Sequence, residues 1–211
     1  MSKADVIRQW KPELKSFGFA YEEGMFVYDR EQGPLDLAVS IQKNVRGETY
    51  KVNPTILFRN PLLAEPKREV LLLANVRAEG IFLHVARSSW WEENRLTDAL
   101  NALKQHVLDW FHRVGQLDHL ANAAETAIRE KKGLAEVIEP VDDAAAAPPW
   151  LQGAARQVGP MFFYQAAVLH YLKGDREKAL ARTRDWFAAL SPGDSDKAAA
   201  QAQLNALARP N

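Results

Sequence analysis

Three of the five histidines fall within the fourteen residues HVLDWFHRVGQLDH, where His106, His112 and His119 stand near Asp109 and Asp118. Imidazoles and carboxylates in that density are the raw material of a metal site or of acid–base chemistry. The spacing argues otherwise. Each helical residue advances about 100° around the axis, so His106, Asp109 and His112 spread across a face instead of converging on a point. The i, i+4 pair that ligates metal on a helix is missing, and a solvated helix face accounts for the same residues. His84, in IFLHVA, reads as a histidine on the less buried face of a strand.

Other chemistries fail on missing residues. There is no Gly-rich phosphate loop, no Gly-x-Ser-x-Gly elbow and no His-Glu-x-x-His pair. Cysteine is absent, which excludes disulfides, thiolate nucleophiles and zinc sites with sulfur ligands. Lys+Arg and Asp+Glu both number 27, so no net positive field draws in nucleic acid or an anionic membrane. No catalytic residue, metal or cofactor is expected, and neither nucleic acid nor membrane is expected as a partner.

Recognition chemistry is the stronger signal. In SIQKNVRGETYKVNPTILF, residues 40–58, two alternating strands flank the turn Asn44-Val45-Arg46-Gly47. If Leu37, Val39, Ile41, Val52 and Ile56 face the core, the period of two sends Ser40, Gln42, Lys51, Asn53 and Thr55 to the other face. That row is rich in amides and hydroxyls and poor in acids. It reads either as a wet sheet face or as a surface for a partner. Lys43 and Trp91 join it as expected partner contacts, because Trp is enriched in binding hot spots. Trp90 and Trp91 are adjacent, so both do not fit one pocket. Trp10, Trp110 and Trp186 sit at apolar helical positions and belong to the core.

The elements that must position these residues follow from periodicity. Ser2 and Asp5 form a capping box for a first helix that ends at Gly18, with a kink or restart at Pro12. From Met25 onward, strands are expected at Phe26–Tyr28, Leu35–Ile41 and Tyr50–Phe58, with Pro54 marking an edge or a bulge. Val70–Val76 and Ile81–Ala86 read as a hairpin, with a short helix as a rival for its first half. A long helix is expected to open at Ser89 with Glu92 in the box position, carrying the stripe Leu96, Leu100, Leu103, Val107, Trp110, Phe111 and Val114, and to end at Gly115. A second runs from Leu117 to Gly133. The Pro- and Ala-rich stretch PVDDAAAAPPW suggests a linker over 140–150. Beyond it lie helices at Met161–Leu172 and Arg176–Leu190 and a last Ala-rich helix.

Strands segregated from helices mean α+β: an antiparallel sheet of four to five strands against helices, followed by a helical C-terminal part. The expected division is a sheet domain over 1–139, the linker, and a helical extension over 151–211 packed on the first part. The first segment carries charges among its apolar residues, and no apolar run spans a bilayer, so a cytoplasmic protein is expected.

Residues 1 to about 130 resemble the bacterial domain-of-unknown-function 4304 family. The features that carry this are LKSFGFAYEEGMFVY, then LAVSIQKN and GETYKVNPTI, the pair WW before the long helix, and LDWFHRVGQLDHLANAAE. The resemblance implies an α+β domain and transfers no catalytic residue. By analogy it suggests small bacterial accessory proteins, some similar to immunity proteins that neutralise a toxin. AAVLHYLKGDREKALARTRDWFAALSP is similar to a single tetratricopeptide unit, with Ala167, Gly174 and Ala179 at small-residue positions; a helical hairpin explains the same residues. The expected function is non-enzymatic protein binding, with an immunity or antitoxin-like inhibitor as its specific form. The rival is a small-ligand site or enzyme between the sheet and the C-terminal helices, using His84 or His112.

Overall fold

The computed structural model describes residues 1–28, 33–83, 90–139 and 159–209. It is an α+β protein in which an antiparallel sheet precedes a run of helices. The chain separates into two compact units, Met1–Phe58 with Glu69–Gly115, and Arg59–Arg68 with Gln116–Asn211. The break falls at Gly115–Gln116 instead of near residue 140, and the expected linker and His84 lie outside the described residues.

The first unit opens with α1 (Lys3–Lys15), capped as expected by the reciprocal Ser2–Asp5 box. The helix runs through Pro12 without ending there. Gly18 follows at φ +84°, where the ring of Tyr28 lies 3.0 Å from the position a Cβ would occupy. A side chain there meets both a left-handed backbone and a close neighbour.

Strands β1 (Phe19–Glu22), β2 (Met25–Tyr28), β3 (Leu35–Lys43), β4 (Thr49–Arg59) and β5 (Arg68–Leu73) lie side by side in chain order, and β8 (Trp91–Glu92) pairs with the start of β4. The β3–β4 register places Leu37 opposite Ile56 and Ile41 opposite Val52, all buried, on the face where α1 contributes Val6, Trp10 and Leu14. Each such aliphatic side chain withdrawn from water contributes about 1.5–3 kcal/mol. The opposite face is not simply wet. Val27, Ala38 and Leu57 form a buried cluster there with Met25 packed against it.

Pro54 lies inside β4, opposite Val39, instead of at an edge. A strand residue directs its N–H and C=O toward the same neighbour. The Pro54 carbonyl accepts from Ala74 at 2.8 Å, so its missing donor falls on that side and the β3–β4 ladder loses nothing. Residues 70–76, where strand and helix competed, are extended. They divide at Ala74 into β5 and β6 (Asn75–Arg77), and the hairpin is formed by β6 with β7 (Gly80–Phe82).

The expected cap Ser89 lies outside the described residues, while its expected box partner Glu92 is in strand, paired with Thr49; a 3-10 turn covers Glu93–Arg95, and α2 (Leu96–Val114) starts after it. Its predicted stripe is buried throughout. It ends at Gly115, whose amide donates to the Phe111 carbonyl, and a Cβ at that position would sit 2.6 Å from the same carbonyl. In the second unit α3 (Leu117–Glu130) closes at Lys131, left-handed at φ 55°, before Gly133 caps the short α4 (Leu134–Ile138). The helices α5 (Pro160–Leu172) and α6 (Arg176–Ala189) make a hairpin around Gly174, and α7 (Lys197–Ala208) packs on α6. Among the described residues no helix is long and apolar enough to cross a membrane.

Candidate partner-binding face

The row that looked uniform in sequence is graded in the fold. Ser40 pairs with Asn53, Gln42 with Lys51 and Ala38 with Thr55, so these side chains share one face as the alternation requires. Asn53 and Thr55, however, are each 2% exposed. The Thr55 hydroxyl donates to the Asn53 carbonyl at 3.2 Å, and the Asn53 Nδ2 has no hydrogen-bond partner among the described residues. Neither side chain is accessible on this face, against the expectation that both contact a partner. The burial is shared along this face, where Thr55 stands opposite Ala38 and where Val27, Ala38 and Leu57 form a buried cluster.

Trp91 is corrected in the same way. It is 5% exposed, stands opposite buried Tyr50, and donates its indole N–H to the Val76 carbonyl at 3.1 Å. Neighbouring side chains on an extended backbone point to opposite faces, so burying Trp91 turns Trp90 outward. Trp90 is 42% exposed, and the Lys51 ammonium sits 4.7 Å from its ring centroid. That cation–π contact is worth about 0.5–1 kcal/mol at an exposed site and holds the indole in place.

At the outer end of the row the accessible group is therefore Gln42, exposed, beside half-buried Lys51 and Ser40, with Trp90 next to them. Lys43 is exposed but engaged within the chain: its ammonium donates to the Met1 carbonyl at 2.7 Å, and the Tyr50 hydroxyl donates to the same oxygen. Val45 is fully exposed in the adjoining turn. The arrangement offers an amide, a hydroxyl, an ammonium and one aromatic face, a set suited to recognition and without a nucleophile–base pair.

The histidines of the long helical stretch do not assemble. His112 and His119 are exposed and His106 is half-buried, and among the described residues no group of three or more His, Asp or Glu side chains is placed to hold a metal. The ionisable cluster lies elsewhere, around His170, which is 1% exposed in α5. Its Nε2 lies 2.9 Å from Oε1 of Glu125 in α3, and that carboxylate also accepts from Arg182 Nε at 2.8 Å and Nη2 at 2.5 Å. Arg182 donates further to Asp185 at 2.7 Å. Burial pushes the Glu125 carboxyl up, but hydrogen bonds from Arg182 and His170 outweigh it and hold the group below its ordinary range. The same carboxylate, despite burial, holds the Arg182 guanidinium more firmly protonated than usual. Sequence reasoning passed over this cluster. Its signal was a histidine inside the apolar run AAVLHYL, a polar group that must find a buried partner.

Comparison with known proteins supplies no relative: no family model matches the chain, and searches of curated proteins and of solved structures likewise find no match.

Proposed function

We propose that this is a non-enzymatic protein-binding protein whose partner docks on the outer end of the sheet, over Trp90, Lys51 and Gln42. The observation that carries the reading is Trp90, a large aromatic left 42% exposed while a lysine braces it. Exposed indoles held in one orientation lose little entropy on contact and serve as anchors at interfaces. Gln42 and Ser40 would supply hydrogen bonds at the rim. The histidine cluster supports the same reading from the other side, since a ring 1% exposed does not meet a substrate.

The specific form we propose is an inhibitor of a toxin, of the immunity or antitoxin kind, in keeping with the resemblance of residues 1 to about 130 to the domain-of-unknown-function 4304 family. The test is co-purification from the native host followed by affinity measurement. One stoichiometric partner is expected, bound roughly 30-fold more weakly by Trp90→Ala, the loss for a hot-spot residue of about 2 kcal/mol. A partner that binds Trp90→Ala and Gln42→Ala as tightly as the unaltered chain removes this face from consideration.

A further inference from the structure

The connection between β4 and β5, Asn60–Lys67, is longer than the about two to five residues that usually join neighbouring strands. It also belongs to the other unit. Arg59–Arg68 groups with the helices, while β4 up to Phe58 and β5 from Glu69 belong with the sheet. One residue of the segment goes deep: Asn60 is 0% exposed, whereas Leu62, Leu63 and Arg68 are half-buried and the others are exposed.

Asn60 is bonded in two directions. Its Nδ2 donates to Gln203 Oε1 in α7 at 2.6 Å, with the Tyr164 hydroxyl of α5 at 3.5 Å. Its Oδ1 accepts from the Leu62 amide at 3.0 Å and its carbonyl from the Leu63 amide at 3.3 Å, so the same residue folds the first turn of the loop. Gln203 donates onward to the Thr183 hydroxyl of α6 at 2.8 Å. An anchor of this kind is weak for its depth. The net worth of a hydrogen bond is small, because water takes the place of either partner when it breaks. Withdrawing Asn60 also uncovers little apolar surface, since Leu62 and Leu63 are already half in water. Pulling β4 or β5 out of the sheet is far more costly, because Ile56, Leu57, Phe58, Leu71 and Leu72 are all buried.

We infer that the β4–β5 loop is a releasable latch, in which Asn60 leaves Gln203 and Tyr164 as the loop opens while β4 and β5 keep their places in the sheet. A segment with few buried apolar contacts opens below the free energy of unfolding the elements that flank it. The open form carries Asn60–Lys67 in water. It also presents Gln203 Oε1 and the Tyr164 hydroxyl as a vacated acceptor pair in the helical unit, matched to a primary amide.

The experiment is amide exchange of the full-length chain, read by mass spectrometry peptide by peptide at low urea concentrations. In the unaltered chain, exchange of the 59–68 peptide stays flat with urea while that of the β4 and α6 peptides rises, since the urea slope follows the surface uncovered in each opening. Gln203→Leu leaves every loop residue in place, yet speeds the 59–68 peptide about 5- to 10-fold, the loss of one net hydrogen bond. The β4 and β5 peptides keep their rates. Asn60→Ala gives the same pattern from the other side of the bond. A common urea slope for loop and strands, acceleration of β4 and β5 alongside the loop, or a loop unmoved by either variant would each overturn the latch.

Discussion

Asn60 donates to the side-chain carbonyl of Gln203 at 2.6 Å across 143 residues of sequence, and both side chains are fully buried. Gln203 passes the chain on to the Thr183 hydroxyl at 2.8 Å, which donates to the Ala179 carbonyl, while Asn60 Oδ1 accepts from the Leu62 amide. The network is closed, and it ties the segment Arg59–Arg68 to α6 and α7 within the second unit. Breaking it strands a buried amide. Gln203→Leu is expected to cost about 1–3 kcal/mol in urea unfolding of that unit, and an unchanged midpoint would show that water satisfies Asn60 instead.

The paired tryptophans should separate binding from stability. Trp91→Ala empties a buried site and removes an indole donor, so a loss of about 3–5 kcal/mol is expected. Trp90→Ala should cost no more than about 1 kcal/mol, the worth of its contact with Lys51 at an exposed site. Parallel thermal melts decide it: if Trp90→Ala is the more damaging, the assignment of inner and outer indole is reversed.

Gly115→Ala drives a methyl to 2.6 Å from the Phe111 carbonyl and 2.8 Å from its ring. Neither neighbour is the tip of a flexible chain. The backbone must shift, at a cost of about 1–3 kcal/mol, read as a lowered denaturant midpoint. A neutral result would mean that the end of α2 re-forms freely.

Glu125 predicts an acid limb in the dependence of stability on pH. Its carboxyl lies below the usual value of 4.5, burial being outweighed by Arg182 and His170. A depressed carboxylate stabilises the fold above its unfolded pKa, and that contribution is lost as pH falls through the folded value. Glu125→Gln should be less stable at pH 7 and lose less on acidification below 4.5. Parallel pH–stability curves for the two chains would contradict this assignment.

Much of this fold was legible in local pattern. The capping box of Ser2 and Asp5, the stripe from Leu96 to Val114, and the alternation of Leu37, Val39 and Ile41 each depend on neighbours a few residues away, where spacing alone decides which side chains share a face. The outer row from Ser40 to Thr55 was legible in the same sense: its members do share a face. Which of them water reaches was not, because exposure depends on what the rest of the chain lays over the sheet, and at one end of the row the neighbouring Val27, Ala38 and Leu57 are buried too.

The sequence by itself determined the α+β class, the sheet's alternation and most helix bounds, since hydrophobic period and capping are properties of short segments. Tertiary structure alone decided that Trp90 and not Trp91 is presented outward, that Asn53 and Thr55 are sealed, and that His170 meets Glu125 and Arg182. Those outcomes rest on contacts between residues far apart in the chain, such as Glu125 with Arg182 across 57 positions. No local spacing encodes which distant side chain will complete a buried charge or cover an open face.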